Sequence, residues 1–134
     1  MKLRSARVTP RLSAGACPGF ARAINEGDLA TAAACFARDG CLITPDATAV
    51  HGRDSIRTVL AQMVAGQTRI LVEGSNAIKA GEVVFARERW RVRAGEPEGP
   101  SIEHTLSAVL ILRWIEGAWK LTIAAPWGWA ATEL

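Results

Sequence analysis

The chain has 134 residues, of which 49% are apolar and 22% charged, and its formal net charge is +3. This length suits one domain with its own hydrophobic core, and the composition is that of a globular protein. Much of the positive charge lies between residues 2 and 11. The rest of the chain is therefore nearly balanced and carries no basic field that would indicate a nucleic-acid partner.

The three cysteines, Cys17, Cys35 and Cys41, are odd in number and have a spacing typical of no metal site. Cys35 lies in a helical apolar pattern, where a small buried thiol is expected. We therefore expect a reducing, cytoplasmic compartment, and neither a metal nor a cofactor. No apolar run reaches the ~20 residues that a bilayer requires, so we expect no membrane partner.

Residues 1–16 are predicted to be a loosely held N-terminal arm, because polar residues and Pro10 interrupt any hydrophobic stretch there. Residues 17–134 are predicted to form a single domain. Its first half has helical periodicity interrupted by glycines. The three predicted helices are Phe20–Asn25 before Gly27, Leu29–Arg38 between Asp28 and Gly40, and a helix that follows His51-Gly52 and ends at Gly66.

After Gly66 the apolar period changes from about 3.6 to 2, which indicates strands. A short strand pair, Cys41–Thr44 and Ala47–Val50, is predicted before the third helix, around a turn at Pro45 and Asp46. The later strands are predicted at Thr68–Glu73, Val83–Arg93, Ile102–Trp114 and Trp119–Trp127. Helices followed by a meander of strands predict an α+β fold, with helices packed on one face of a mainly antiparallel sheet.

Alternation along the strands predicts which side chains face the helices. Four arginines from Arg87 to Arg93 share one parity and cannot all be buried without partners, so Glu88 and Trp90 face inward. On the last strand the more apolar set, which includes Leu121, Ile123 and Trp127, is predicted to face inward. The outer face keeps an apolar centre, for which we predict homodimerisation. Its members are Phe85, Val109, Ile111 and Ala124.

Four segments in this order resemble a known superfamily. They are FARAINEGDL at 20–29, CFARDGCLITP at 35–45, HGRDSI at 51–56 and GAWKL at 117–121. The chain resembles the nuclear-transport-factor-2-like (NTF2-like) superfamily, and within it the SnoaL-like, ketosteroid-isomerase-like group, from about Phe20 to Trp127. The resemblance implies a cone-shaped fold, in which three N-terminal helices pack on a strongly curved sheet and enclose a ligand cavity. Members of this superfamily include isomerases, polyketide cyclases, dehydratases, epoxide hydrolases and non-catalytic domains, so the resemblance by itself does not decide the function.

The catalytic positions of the ketosteroid isomerases can be compared with this sequence one by one. Their tyrosine position falls on Phe20, their catalytic base on Thr44 and their oxyanion aspartate on Leu110. Phe20 and Leu110 have no donor, and Thr44 is no base near neutral pH. Steroid isomerisation by that mechanism is therefore disfavoured.

Two inward-facing polar residues remain as candidate acid/base groups, Glu88 and His104. Glu88 lies in an apolar wall, and histidine titrates near neutrality. The strand register predicts a separation of roughly 7–13 Å, which a substrate could bridge. The alternative is that Glu88 pairs with an arginine or a hydroxyl and that His104 lies at the rim of the cavity. The predicted ligand-binding residues are Phe20, Ile24, Phe36, Thr44, Leu60, Trp90, Leu110, Ile123 and Trp127.

Three functions stay open. The first is a cofactor-independent isomerase, cyclase or dehydratase that transfers a proton on a hydrophobic, polyketide- or steroid-like metabolite, a substrate class that the resemblance implies. The second is a binding or accessory domain without chemistry. The third is an interaction domain in which side chains fill the cone and the sheet face carries the function.

Overall fold

The computed structural model describes residues 16–96 and 98–127, which form three helices and one six-stranded sheet. Except for Ala16, the predicted arm lies outside the described residues. The elements are α1 Pro18–Glu26, α2 Leu29–Ala34, β1 Phe36–Ile43, β2 Ala49–His51, α3 Arg53–Ala65, β3 Arg69–Ala80, β4 Val83–Gly95, β5 Ser101–Ile115 and β6 Ala118–Ala125. The strand order is β2-β1-β6-β5-β4-β3, and all neighbours are antiparallel except β1 and β6. The predicted α+β class, with three helices on a curved, mainly antiparallel sheet, is confirmed.

The second helix is shorter than predicted, because α2 ends at Ala34 and the residues from Phe36 onward belong to β1. Phe36 is fully buried and pairs with Leu121 of β6, whose backbone N–H donates to the Cys35 carbonyl oxygen at 2.8 Å. Gly40 therefore does not stop a helix. An added Cβ there would lie 3.0 Å from the carbonyl oxygens of Ala37 and Leu121, so glycine permits a close approach of β1 and β6.

The predicted inner face of β4 is confirmed: its even-numbered residues from Val84 to Val92 are buried and its arginines point outward. The same alternation fails in β6. Ile111 pairs with Ile123 and Leu112 with Leu121, so Thr122 is one extra residue on β6. This bulge turns Ile123 to the outer face and Ala124, 2% exposed, to the inner face. Ile123 is thus not a lining residue, and Ala124 is not part of the outer apolar patch.

The third strand is longer than predicted, because β3 continues through Gly74, Ser75 and Asn76 to Ala80. A register shift between Val72 and Gly74 sets Ser75 directly opposite Glu88 of β4. The extended strand therefore brings the hydroxyl group of Ser75 to the carboxyl group of Glu88.

In the described parts of the chain, no helix combines the length and apolar character needed to cross a membrane.

Candidate functional site around Glu88

Glu88 is buried in the inner face of β4, with only 4% of its surface exposed, and both of its carboxylate oxygens accept hydrogen bonds. Oε1 accepts from the indole Nε1 of Trp90 at 2.8 Å. Oε2 accepts from Ser75 Oγ at 2.9 Å and from the backbone N–H of Ala16. The carboxyl group is therefore held by donors from three separate parts of the chain.

The sheet register explains this arrangement. Trp90 follows Glu88 by two residues on the same strand, so both side chains leave the same face. Ser75 lies directly across on β3, and the small side chain of Ala108 lies directly across on β5. Glu88 is therefore flanked on the neighbouring strands by one hydrogen-bond donor, Ser75, and one small side chain, Ala108.

The three donors to Glu88 are all neutral groups. The two ion pairs among the described residues lie elsewhere: Arg91 with Glu73 at 2.6 Å and Arg113 with Asp39 at 3.2 Å. Burial of a carboxyl group is costly unless hydrogen bonds replace its lost water. A buried carboxyl group that has no partner cation among the described residues is the kind of group that enzymes use for proton transfer.

Aromatic side chains pack beside this carboxyl group. Phe20 of α1 stacks on Trp90 with ring centroids 6.2 Å apart, and it meets Phe36 edge-on at 5.8 Å. The structure brings most of the predicted lining residues together as a packed hydrophobic cluster: Phe20, Ile24, Phe36, Leu60, Trp90 and Leu110, all buried. The side chains that were predicted to line a cavity are thus in contact with one another.

Trp127 packs against the same cluster and is partly buried. Its indole Nε1 is inaccessible to solvent and has no hydrogen-bond acceptor in the part of the chain that the structure describes. Buried indole N–H groups usually find an acceptor. The sequence predicted Trp127 as a ligand-binding residue, and its indole N–H is a donor that the described residues leave unused.

His104 is not brought to Glu88. It pairs with Val92 and is exposed, while Glu88 pairs with Ala108, four residues further along β5. Four residues along a strand correspond to about 13 Å. His104 shares the face of Glu88 but lies beyond the packed cluster, near the β4–β5 hairpin.

The side chain of Thr44 forms hydrogen bonds within the turn that follows β1. Its hydroxyl group hydrogen-bonds to Asp46 and to the carbonyl oxygen of Thr48, and it also accepts from the Thr48 N–H at 3.2 Å. The pKa of the exposed Asp46 carboxyl group is lowered by hydrogen bonds from the side chain of Thr44 and from the side chain and backbone of Thr48. The Thr44 hydroxyl group therefore bonds within the β1–β2 turn and not to the cluster around Glu88. Asp46 lies in the same turn, where the sequence predicted it.

An open cleft lies at a different end of the domain, between the ends of α1 and α3 and the start of β3. Its volume is about 490 Å³, and its lining includes Asn25, Gln67, Arg69 and Ile24. Of the predicted ligand-binding residues, only Ile24 lines this cleft.

Within residues 16–96 and 98–127, no three histidine, cysteine or acidic side chains are grouped so that they could hold a metal ion.

A family model described as a SnoaL-like domain matches residues 19–121. This range includes Glu88, Ser75 and Trp90, whereas Ala16 and Trp127 lie outside it. No curated protein has a sequence that matches this chain.

Three solved structures show the same fold. A candidate dehydratase of the NTF2-like family from Streptomyces avermitilis has a TM-score of 0.71 and 18% identity, covering 81% of this chain and 89% of its own. An NTF2-like protein with a cystatin-like fold from Novosphingobium aromaticivorans has a TM-score of 0.69 and 14% identity, covering 84% and 75%. A candidate calcium/calmodulin dependent protein kinase II association domain from Xanthomonas campestris has a TM-score of 0.70 and 12% identity, covering 79% and 77%.

Proposed function

Because the chain belongs to the SnoaL-like family, we propose that it binds an apolar, carbonyl-bearing small molecule beside Glu88 and transfers a proton on it, as isomerases, cyclases and dehydratases do. One observation carries the proposal: Glu88 is a buried carboxyl group whose hydrogen-bond donors are all neutral. The candidate dehydratase from Streptomyces avermitilis, which shares the fold, is consistent with this chemistry.

Two features support the class of ligand. The stacked rings of Phe20 and Trp90 form an apolar, flat surface next to the carboxyl group. Trp127 offers a buried indole N–H that has no acceptor within residues 16–96 and 98–127, and a carbonyl oxygen of the ligand would satisfy it. We therefore propose a flat, largely apolar ketone or polyketide-like metabolite.

In the proposed reaction, the Glu88 carboxylate removes a proton from the carbon next to the ligand carbonyl and later returns it. The hydrogen bonds from Ser75 and Trp90 hold the carboxylate in one orientation, which lowers the entropy cost of reaching the reactive geometry. Because Glu88 is buried and the Ala16 backbone N–H is bonded to its carboxyl group, ligand entry requires that a neighbouring group such as Ala16 move.

The experiment has two steps. A native mass spectrum of the purified protein first tests for a retained small molecule. The protein is then incubated in D2O with 2-tetralone, a flat apolar ketone, and deuterium incorporation next to its carbonyl is measured. We expect incorporation to fall at least about 100-fold in Glu88→Gln, as for loss of a general base.

The matched control is Glu82→Gln, which removes an exposed carboxyl group from the β3–β4 turn and should leave incorporation unchanged. Equal incorporation by wild type and Glu88→Gln would exclude Glu88 as the base. His104→Ala, tested in the same way, decides the proposed role of the exposed histidine.

The mutual packing of Phe20, Phe36 and Trp90 favours one alternative, an interaction domain whose own side chains fill the cone. A second alternative is a binding domain without chemistry, which the replacement of the isomerase residues by Phe20, Thr44 and Leu110 favours. In that case the native mass spectrum would show a retained ligand, while deuterium incorporation would not depend on Glu88. A protein without ligand and without exchange would leave the outer sheet face as the functional surface.

We further propose that the outer sheet face forms a homodimer. A row of apolar side chains crosses four paired strands on this face: Ile78, Phe85, Ile111 and Ile123. Ile78 and Phe85 are 51% and 41% exposed. Arg87, Arg113 and Lys120 border the row, which gives the apolar centre and polar rim of a protein interface.

We also propose a cytoplasmic location. All three cysteines, Cys17, Cys35 and Cys41, are free. Free thiols persist in a reducing compartment.

A further inference from the structure

Cys17 and Cys35 are neighbours in space, and each thiol shifts the pKa of the other. Cys17 directly precedes α1, and Cys35 directly follows α2. A Cβ atom placed on Gly19, in the first turn of α1, would lie 3.9 Å from Cys35 Sγ. The beginning of α1 therefore packs on the end of α2, and both thiols contact the same hydrophobic cluster.

We propose that Cys17 and Cys35 are a redox-responsive thiol pair, which closes to an intramolecular disulfide and thereby fixes the Ala16 backbone N–H against Glu88. The pair would respond to a peroxide. It would couple the oxidation state of the protein to the position of the segment that covers Glu88. This inference does not depend on the proposed proton transfer.

The surroundings assign different roles to the two thiols. The hydrogen bond from Cys17 lowers the pKa of the Cys35 thiol, and the positive charge of Lys120 adds to this effect, although burial opposes it. The same shared hydrogen bond, together with burial, raises the pKa of Cys17. Lys120 Nζ donates to the carbonyl oxygen of Ala34 at 2.9 Å, which places a positive charge next to Cys35. We therefore assign Cys35 as the thiolate that attacks an oxidant and Cys17 as the thiol that resolves the product.

The reaction balances with hydrogen peroxide as oxidant. The Cys35 thiolate attacks one peroxide oxygen, the O–O bond breaks, and hydroxide leaves and takes up a proton to form water. Cys35 is then a sulfenic acid. Cys17 sulfur attacks Cys35 sulfur, the S–O bond breaks, and the proton of Cys17 leaves with the hydroxyl group as a second water. Two thiols lose two electrons and one peroxide gains them.

The fold connects this disulfide to Glu88. Ala16 immediately precedes Cys17, and its N–H donates to Glu88 Oε2. Cys35 is anchored, because its carbonyl oxygen accepts from the Leu121 N–H at 2.8 Å and Lys120 Nζ donates to the adjacent Ala34 carbonyl oxygen at 2.9 Å. A bond from Cys17 to this anchored residue would restrict the backbone that reaches Glu88.

The first measurement is disulfide formation. The reduced full chain is treated with a small excess of hydrogen peroxide, and free thiols are alkylated and mapped by peptide mass spectrometry. We expect the loss of two hydrogen atoms, a Cys17–Cys35 cross-link and an alkylated Cys41. Burial raises the pKa of the Cys41 thiol, so it should react slowly.

Cys41→Ser is the matched control and should oxidise like wild type, whereas Cys17→Ser should stop at the sulfenic acid of Cys35. A disulfide that includes Cys41, or oxidation of Cys35 to a sulfinic acid in the wild-type chain, would overturn the proposed pair. So would unchanged thiols after treatment.

The second measurement tests the coupling to Glu88. Amide hydrogen exchange is compared between the reduced and oxidised protein for the peptide that contains Ala16 and Cys17. We expect exchange of the Ala16 amide to slow at least about 10-fold on oxidation, because the disulfide limits local opening. Equal exchange in both states would overturn the coupling. Neither measurement uses a substrate, so their failure is distinct from failure of the proposed proton transfer.

Discussion

Trp90 donates its indole N–H to Glu88 at 2.8 Å, two residues earlier on the same strand. Trp90 also stacks on Phe20 of α1. One side chain therefore orients the carboxyl group and forms the aromatic surface next to it, so that helix packing and the geometry of Glu88 depend on each other.

This relationship can be measured in a double-mutant cycle with Glu88→Ala and Trp90→Phe. We expect a coupling free energy of about 1.5–3 kcal/mol, because the hydrogen bond involves a buried carboxyl group. Glu88→Ala alone should cost about 3 kcal/mol in the free energy of unfolding, since it leaves buried donors without an acceptor. Urea denaturation of the four proteins gives these values, and additive single-variant effects would contradict a direct bond.

Loss of the indole N–H should affect the free energy of unfolding much less at Trp127 than at Trp90. Trp127→Phe removes a buried N–H that has no acceptor among the described residues, so the free energy of unfolding should change by less than about 1 kcal/mol. If the ligand uses this donor, the retained molecule or the exchange activity should fall at the same time. The proposed contact is disproved if Trp127→Phe retains full ligand occupancy and activity.

The proposed dimer predicts a specific effect of charge on the outer face. Ile111→Lys places a cation in the middle of the apolar row and should convert a dimer into a monomer in light scattering at micromolar concentration. Ser107→Lys is the matched control, since it lies on the same strand and outer face, opposite Arg89 and outside the row. A wild-type protein that is already monomeric under these conditions would refute the dimer.

The cap of α2 predicts a pH dependence of stability. Asp28 accepts hydrogen bonds from the Thr31 hydroxyl group at 2.6 Å and from the Thr31 N–H at 3.1 Å, and these bonds lower the pKa of its carboxyl group. A lowered pKa contributes stability above the unfolded-state pKa, and this contribution is lost as the pH falls through the folded-state value.

Asp28→Ala should therefore lower the Tm at pH 7, and the difference from wild type should shrink as the pH falls below about 4. Asp28→Asn is the matched variant, because asparagine also caps helices but does not titrate in this range. Its Tm should stay near that of wild type at pH 7 and vary less with pH. Parallel Tm curves for wild type and Asp28→Ala at all pH values would rule out this contribution.

Several elements of the fold could be predicted because their signals are local. The apolar stripe of α3 and the alternation of β4 both follow from the period of the chain itself. The end of α2 could not be predicted in this way. Phe36 continues the helical pattern of the residues before it, but its burial against β6 outweighs that pattern.

The candidate site shows the same division. Glu88 could be assigned to the inner face because a row of arginines beside it cannot be buried. Its partners could not be assigned. Ser75 lies in a segment with a glycine and an asparagine that has no strand signal, and Ala16 donates through its backbone, which carries no information about side-chain type.

The sequence by itself therefore determined the family, the fold class and the inward direction of Glu88 and Trp90, since periodicity and charge act between residues that are close along the chain. Only the tertiary structure decided that the aromatic side chains pack together, that His104 is exposed, and that Thr122 bulges and exchanges the faces of Ile123 and Ala124. These outcomes depend on strand register and on which distant group satisfies a buried hydrogen-bonding atom. Both are set by the lowest free energy of the whole domain and not by any one segment.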